Sequence, residues 1–160
     1  MDMEIERKFL VAALPEKLEQ YEKKEIEQTY ISTDPTIRLR KSDNDLILTV
    51  KGRGELAREE FELPLTYEQY SSLMKKAETP AISKTRYIIP LDDGLRAELD
   101  VYHGRLDGLF TVEVEFESLE GALAFVPPFW FSRDVSRDSR YKNTALSLYG
   151  IPDDNDRNSL

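Results

Sequence analysis

The 160-residue chain has no cysteine, so neither a disulfide framework nor a thiolate metal site can exist in it. Its single histidine, His103, excludes a histidine-rich zinc site, and any metal must be a hard cation held by carboxylates. No apolar run approaches membrane-spanning length, and Met1-Asp2-Met3-Glu4 lacks the apolar stretch of a signal peptide. The expectation is a cytoplasmic protein with no membrane partner. Cations are also short: 22 Lys and Arg against 31 Asp and Glu leave a net charge of −9. That argues against a nucleic-acid partner, whose affinity comes mainly from phosphate neutralisation. It does not exclude a small polyanion, which responds to the field inside a cleft. Internal repeats, low-complexity tracts and long linkers are absent too. One domain over residues 1–151 is expected, followed by a polar tail over 152–160.

What the sequence does contain is period-2 alternation. It runs through Glu4 to Phe9, Gln28 to Ser32, Thr36 to Lys41, Leu46 to Lys51, Arg58 to Leu63, Ser83 to Ile89, Arg96 to Tyr102 and Thr111 to Phe116. Turn residues such as Asp34-Pro35, Asp92-Asp93-Gly94 and His103-Gly104 separate these segments. Helices are fewer. Thr66, with Gln69 as capping-box partner, predicts one over 67–77, and Ser118 predicts a short one ended by Pro127-Pro128. Ser136 or Asp138 opens a last helix stopped at Gly150, and a short helix near Pro15 to Tyr21 is also expected.

Sorting the strands by face separates charge from apolar surface. One face carries Glu4, Glu6, Lys8, Arg38, Arg40, Thr49, Lys51, Arg58, Glu60, Glu62, Lys84, Arg86, Glu98, Asp100, Glu113 and Glu115. The other carries Ile5, Phe9, Ile37, Leu39, Leu48, Val50, Phe61, Leu63, Ile89, Leu99, Val112 and Val114, with Arg7 and Glu59 as exceptions. An ordinary sheet with one wet face would also alternate. Here, however, the charges come as same-sign pairs at i and i+2, about 7 Å apart on one face, where such neighbours gain nothing in solvent. Eight strands can close into a barrel that holds a small ligand. Closed with the charges inward, it would contain a carboxylate zone suited to divalent cations and a Lys/Arg zone suited to a polyanion. The expected fold is therefore mainly β: a closed eight-stranded antiparallel tunnel, its outer face covered by a few helices.

Glu4-Ile5-Glu6-Arg7-Lys8 resembles the Glu-x-Glu-x-Lys signature of the CYTH domain, the triphosphate tunnel metalloenzymes. Arg38-x-Arg40, Thr49-x-Lys51, Arg58-x-Glu60-x-Glu62, Lys84-x-Arg86, Glu98-x-Asp100 and Glu113-x-Glu115 follow in that family's order, and Arg140-Tyr141-Lys142-Asn143 resembles its C-terminal plug helix. The resemblance spans residues 3 to about 150 and is nearest to short bacterial members. It implies hydrolysis of a linear triphosphate, foremost inorganic triphosphate to pyrophosphate and phosphate, with nucleoside triphosphates as further substrates and two Mg²⁺ or Mn²⁺ ions as cofactors. It also suggests a homodimer.

The roles it implies match the chemistry of the residue types. Glu4, Glu6, Asp100, Glu113 and Glu115 would hold metal. Lys8, Arg38, Arg40, Lys51, Arg58, Lys84, Arg86, Arg140 and Lys142 would grip phosphate oxygens, a task that suits the planar fork of arginine. Tyr30 would act with Lys84 as a proton-transferring catalytic pair, Tyr30 as base. His103 is expected to be incidental, and Trp130 to pack a lid. Two alternatives stand beside a triphosphatase: an adenylate cyclase, which needs a base pocket, and a non-catalytic polyphosphate-binding module, which would not need the carboxylates. The physiological substrate (thiamine triphosphate included), the preferred metal and the oligomeric state stay open at this level.

Overall fold

The computed structural model describes residues 2–153; from residue 154 on, the expected polar tail lies outside them. Eight strands follow the alternating segments: β1 (Asp2–Val11), β2 (Glu22–Thr33), β3 (Thr36–Ser42), β4 (Asp45–Lys51), β5 (Ala57–Pro64), β6 (Ile82–Pro90), β7 (Arg96–Tyr102) and β8 (Phe110–Glu115). They pair antiparallel in the order β5-β4-β3-β2-β6-β7-β8-β1. Pairing of β1 with β5, from Asp2↔Glu60 to Ile5↔Ala57, closes the barrel. The expected tunnel is thus the observed fold.

β2 starts at Glu22 rather than Gln28. Its first residues, Glu22-Lys23-Lys24-Glu25, are all exposed and carry no hydrophobic period, so only pairing with β6 reveals them as strand. A ninth strand, β9 (Phe131–Asp134), was not foreseen. It is short and polar at its centre, and it extends the edge of β1 at Phe9 and Val11, beyond the reach of β5.

Capping chemistry sets the helices. α1 (Tyr67–Met74) begins at a complete capping box: Gln69 N donates to Thr66 Oγ1 at 3.1 Å, and Thr66 N donates to Gln69 Oε1 at 2.9 Å. It stops short of residue 77 because the chain is drawn onto β2, where Glu78 N donates to Tyr30 O at 2.8 Å and buried Thr79 meets Thr29 and Tyr30. α2 (Leu119–Ala124) is capped by Ser118, whose hydroxyl accepts from Gly121 N at 3.0 Å. The last helix is divided rather than continuous. A 3-10 turn over Ser139–Tyr141, capped by Asp138, precedes α3 (Asn143–Tyr149), with Lys142 extended between them. The break has a cause: Lys8 Nζ takes the Tyr141 carbonyl at 2.6 Å, removing it from any helical ladder. Gly150, at φ 81°, ends α3 in a conformation that glycine adopts without Cβ strain. Pro15 to Tyr21 forms only one 3-10 turn, Leu18–Gln20.

Two apolar layers hold the barrel. Outside, Phe9, Ile89, Ala97, Leu99, Val112 and Val114 are buried beneath Phe116, Ala122, Trp130 and Phe131. Arg7 is the outward exception. It lies over the Phe9 ring at 4.9 Å, donates to the Ala122 and Phe125 carbonyls and pairs with Asp134 at 2.9 Å. The second layer lies at one end of the barrel: Leu10, Ile82 and Tyr102, of the same parity as the charged residues, meet Val135, Tyr141 and Leu146 and form an apolar seal beneath the ends of β1, β6 and β7. The outer face of β3, β4 and β5 is covered less, with Leu39 fully buried, Ile37 half-buried, and Phe61 and Leu63 exposed. No helix among the described residues is long and apolar enough to cross a membrane.

Leu39→Ala should therefore lower stability by about 2–5 kcal/mol through lost burial and a cavity, and half-buried Ile37→Ala by clearly less. Urea unfolding measures both. Equal losses at the two positions would show that the outer face is not graded as described.

Candidate active site

A cavity of about 1140 Å³ lies inside the barrel. Alternation aims its walls: Glu4, Glu6 and Lys8 from β1, Arg38 and Arg40 from β3, Lys51 from β4, Arg58, Glu60 and Glu62 from β5, Arg86 from β6, Glu98 from β7 and Glu113 and Glu115 from β8. Lys142 and Asn143 reach it from the plug segment, and Tyr30 from β2. Three expected site residues do not line it. Lys84 and Asp100 lie behind the wall, both completely buried, and Arg140 is turned aside onto Asp138 at 2.6 Å.

The acidic zone is arranged in pairs. Glu6 is hydrogen-bonded to Glu113; burial, and then the charge of Glu113, pushes the Glu6 carboxyl well above its ordinary range. Burial works against ionisation of Glu113 as well, but Lys8, Arg86 and Lys84 hold it well below that range. Glu60 is hydrogen-bonded to Glu4, and burial together with that bond raises its pKa to about 7. Glu4 remains ionised, 2.8 Å from Lys51 and 3.8 Å from Arg58. Glu115 is raised by partial burial and by the charges of Glu4 and Glu98. In each pair, burial and the neighbouring carboxylate favour a proton on one member, a place that a cation could take. Among the described residues no three carboxylates converge as a ready-made cage. One reason is that Asp100 is fully engaged, accepting both arms of the Arg86 fork at 2.8 and 2.9 Å and ion-paired with Lys84 at 2.7 Å. Burial opposes its ionisation, yet these two cations bring its pKa to about 2.

The basic zone lies across the lumen. Burial, reinforced by the charges of Arg38 and Arg86, lowers the Arg40 pKa to about 9. Arg38 donates to Thr49 Oγ1 at 3.1 Å, while its buried Nε has no hydrogen-bond partner. A buried donor without an acceptor is costly, and an entering anion would satisfy it. Lys84, over the Tyr102 ring at 5.4 Å, is brought down to about 7 by burial, against the pull of Asp100. Tyr30 has no hydrogen bond to Lys84; its hydroxyl accepts from Gln28 at 3.0 Å, and burial raises its pKa despite Arg38 and Arg40.

Several wall residues escaped the sequence reading. Lys24 and Ile26 share the parity of Tyr30 and were hidden by the late start expected of β2; Gln28, the first residue of the expected strand, is buried beside them and has no charge to mark it. Ser136, which joins the lumen wall by binding the Lys8 backbone at 2.9 Å, follows the unforeseen β9. His103 touches Thr85 at 2.7 Å, remote from the cavity wall, and Trp130 packs in the outer core.

Glu6→Gln tests the shared proton. Because the folded-state pKa of Glu6 is raised, its favourable contribution is present below the ordinary carboxylate range and is lost as pH rises through the raised value. In chelator, the variant should match wild type near pH 5 and melt about 2–5 °C higher at pH 8. A variant less stable than wild type at pH 8 would contradict the pairing.

Comparison with known proteins agrees with this geometry. The CYTH domain family matches residues 2–126. An inorganic triphosphatase of Nitrosomonas europaea is 43% identical over 149 residues, covering 91% of this chain and 97% of that protein. Another inorganic triphosphatase, from Acetivibrio thermocellus, is 32% identical over 151 residues, covering 91% and 94%. A crystal structure of an inorganic triphosphatase superposes with a TM-score of 0.68 at 40% identity, covering 96% of this chain and 99% of that one. With its barrel, its two charged zones and these relatives, the chain belongs to the CYTH domain family.

Proposed function

We propose that this protein is a divalent-metal-dependent hydrolase that splits inorganic triphosphate, with water, into pyrophosphate and phosphate. The observation that carries the proposal is one cavity lined by Arg38 and Arg40 on one side and by Glu4, Glu6, Glu113 and Glu115 on the other. The inorganic triphosphatases at 43% and 32% identity support it. Nucleoside triphosphates carry the same terminal chain and are proposed as further substrates.

In this reading Arg38, Arg40, Arg58, Lys8, Lys51 and Lys142 bind the phosphate oxygens, and their fixed positive charge stabilises the charge that builds up during phosphoryl transfer. Arg86 is held by Asp100, Glu98 and Glu113 and keeps the two zones in register. Glu4, Glu6, Glu113 and Glu115 are suited to Mg²⁺ or Mn²⁺, since hard carboxylate oxygens that now share protons can hold dications instead. Bound there, the ions would neutralise phosphate charge and acidify water. Asp100 contributes from behind by orienting Arg86 and Lys84. Lys84, with its lowered pKa, is proposed as a neighbouring proton reservoir, and Tyr30 as a residue in contact with substrate. The exposed Phe61 and Leu63 support pairing of two copies, which analytical ultracentrifugation would test.

Phosphate release from triphosphate and from ATP, each with Mg²⁺ or Mn²⁺, is the direct assay. Activity should disappear in EDTA and return with either ion; full turnover in chelator would exclude the metal role. Cleavage of neither substrate would favour a binding module, and formation of cAMP a cyclase. Arg38→Ala should lower kcat/KM about ten- to a hundredfold, a loss of about 1.5–3 kcal/mol, with little change in Tm. If that variant melts early yet keeps full efficiency, Arg38 does not grip substrate.

A further inference from the structure

Gln28 carries no charge and belongs to none of the family-like motifs, yet it is almost completely buried in the basic wall. Its side-chain oxygen accepts from Arg40 Nε at 3.0 Å and from Arg40 Nη2 at 2.7 Å. Its amide nitrogen donates to the Tyr30 hydroxyl oxygen at 3.0 Å. Chemistry forces this orientation. A guanidinium group has only donors, so the amide oxygen must face Arg40 and the NH₂ must face the phenol. The Tyr30 oxygen therefore accepts from Gln28, and its own proton must point elsewhere. Among the described residues no protein group accepts that proton. Tyr30 lines the cavity beside its cross-strand neighbour Arg38, whose buried Nε has no hydrogen-bond partner.

We infer that Gln28 is a positioning residue: by clamping Arg40 and occupying the Tyr30 oxygen, it turns the Tyr30 hydroxyl proton into the tunnel as a hydrogen-bond donor to triphosphate. The inference rests on the triphosphatase reading and reverses the sense of the base role that the resemblance assigns to Tyr30. No proton is transferred; the phenol, kept protonated by burial, meets a phosphate oxygen as Arg38 Nε does.

Gln28→Glu decides the matter. A carboxylate at this position still accepts from Arg40, but toward Tyr30 it can only accept, so it draws the phenolic proton back from the tunnel. Expected is a fall in kcat/KM for triphosphate of about ten- to a hundredfold, equal to that of Tyr30→Phe, with no further loss in the double variant. Gln28→Met, which also frees Arg40, should in addition raise KM. Wild-type efficiency in Gln28→Glu or in Tyr30→Phe would overturn the inference, as would losses that simply multiply in the double variant. Should Gln28→Glu fail to fold, Gln28→Met and Tyr30→Phe complete the same cycle. A wild-type protein that binds inorganic triphosphate in calorimetry without splitting it would overturn the hydrolytic reading alone, and the cycle is then judged on affinity.

Discussion

A closed sheet denies its inward side chains the option of swinging into open solvent, so same-sign neighbours on one strand must be neutralised where they stand. In this barrel several of these like-charge neighbours are met by an opposite charge or by another carboxyl across strands. Lys51 and Arg58 face Glu4, Arg86 is shared among Asp100, Glu98 and Glu113, and burial beside Glu113 and Glu4 shifts Glu6 and Glu60 toward their protonated forms. Two surpluses remain, the guanidinium groups of Arg38 and Arg40 and the acid pairs opposite. At both, the protein's own groups leave charge uncompensated and a charged occupant is favoured.

Stability is supplied elsewhere. The outer layer around Phe9, Leu99, Val112 and Phe131 and the apolar seal at Leu10, Tyr102 and Tyr141 bury the surface that offsets the lumen's repulsion. The division of labour follows from strand alternation. Odd positions of β1 build the outer core, and even positions build the site as far as Lys8, then the seal at Leu10.

That same division explains what was legible in the sequence. Alternation is a local signal, so the strands, the inward set from Glu4 to Glu115 and the capping box at Thr66 could be read directly. Features fixed by distant partners could not. The early part of β2 is visible only through β6, β9 only through β1, and the break at Lys142 only through the hold of Lys8 on the Tyr141 carbonyl. For the same reason face assignment alone could not separate Lys84 and Asp100, bound to each other behind the wall, from Arg86 in front of it. Gln28 was missed because an uncharged side chain in a charged row gives no compositional signal.

The apolar seal also divides the barrel interior. Leu10, Ile82, Tyr102, Tyr141 and Leu146 fill the side at the ends of β1, β6 and β7, while the cavity continues past Thr33, Asp34 and Gly54 on the opposite side. A charged occupant is thereby kept from the apolar part of the interior and held against the charged rows.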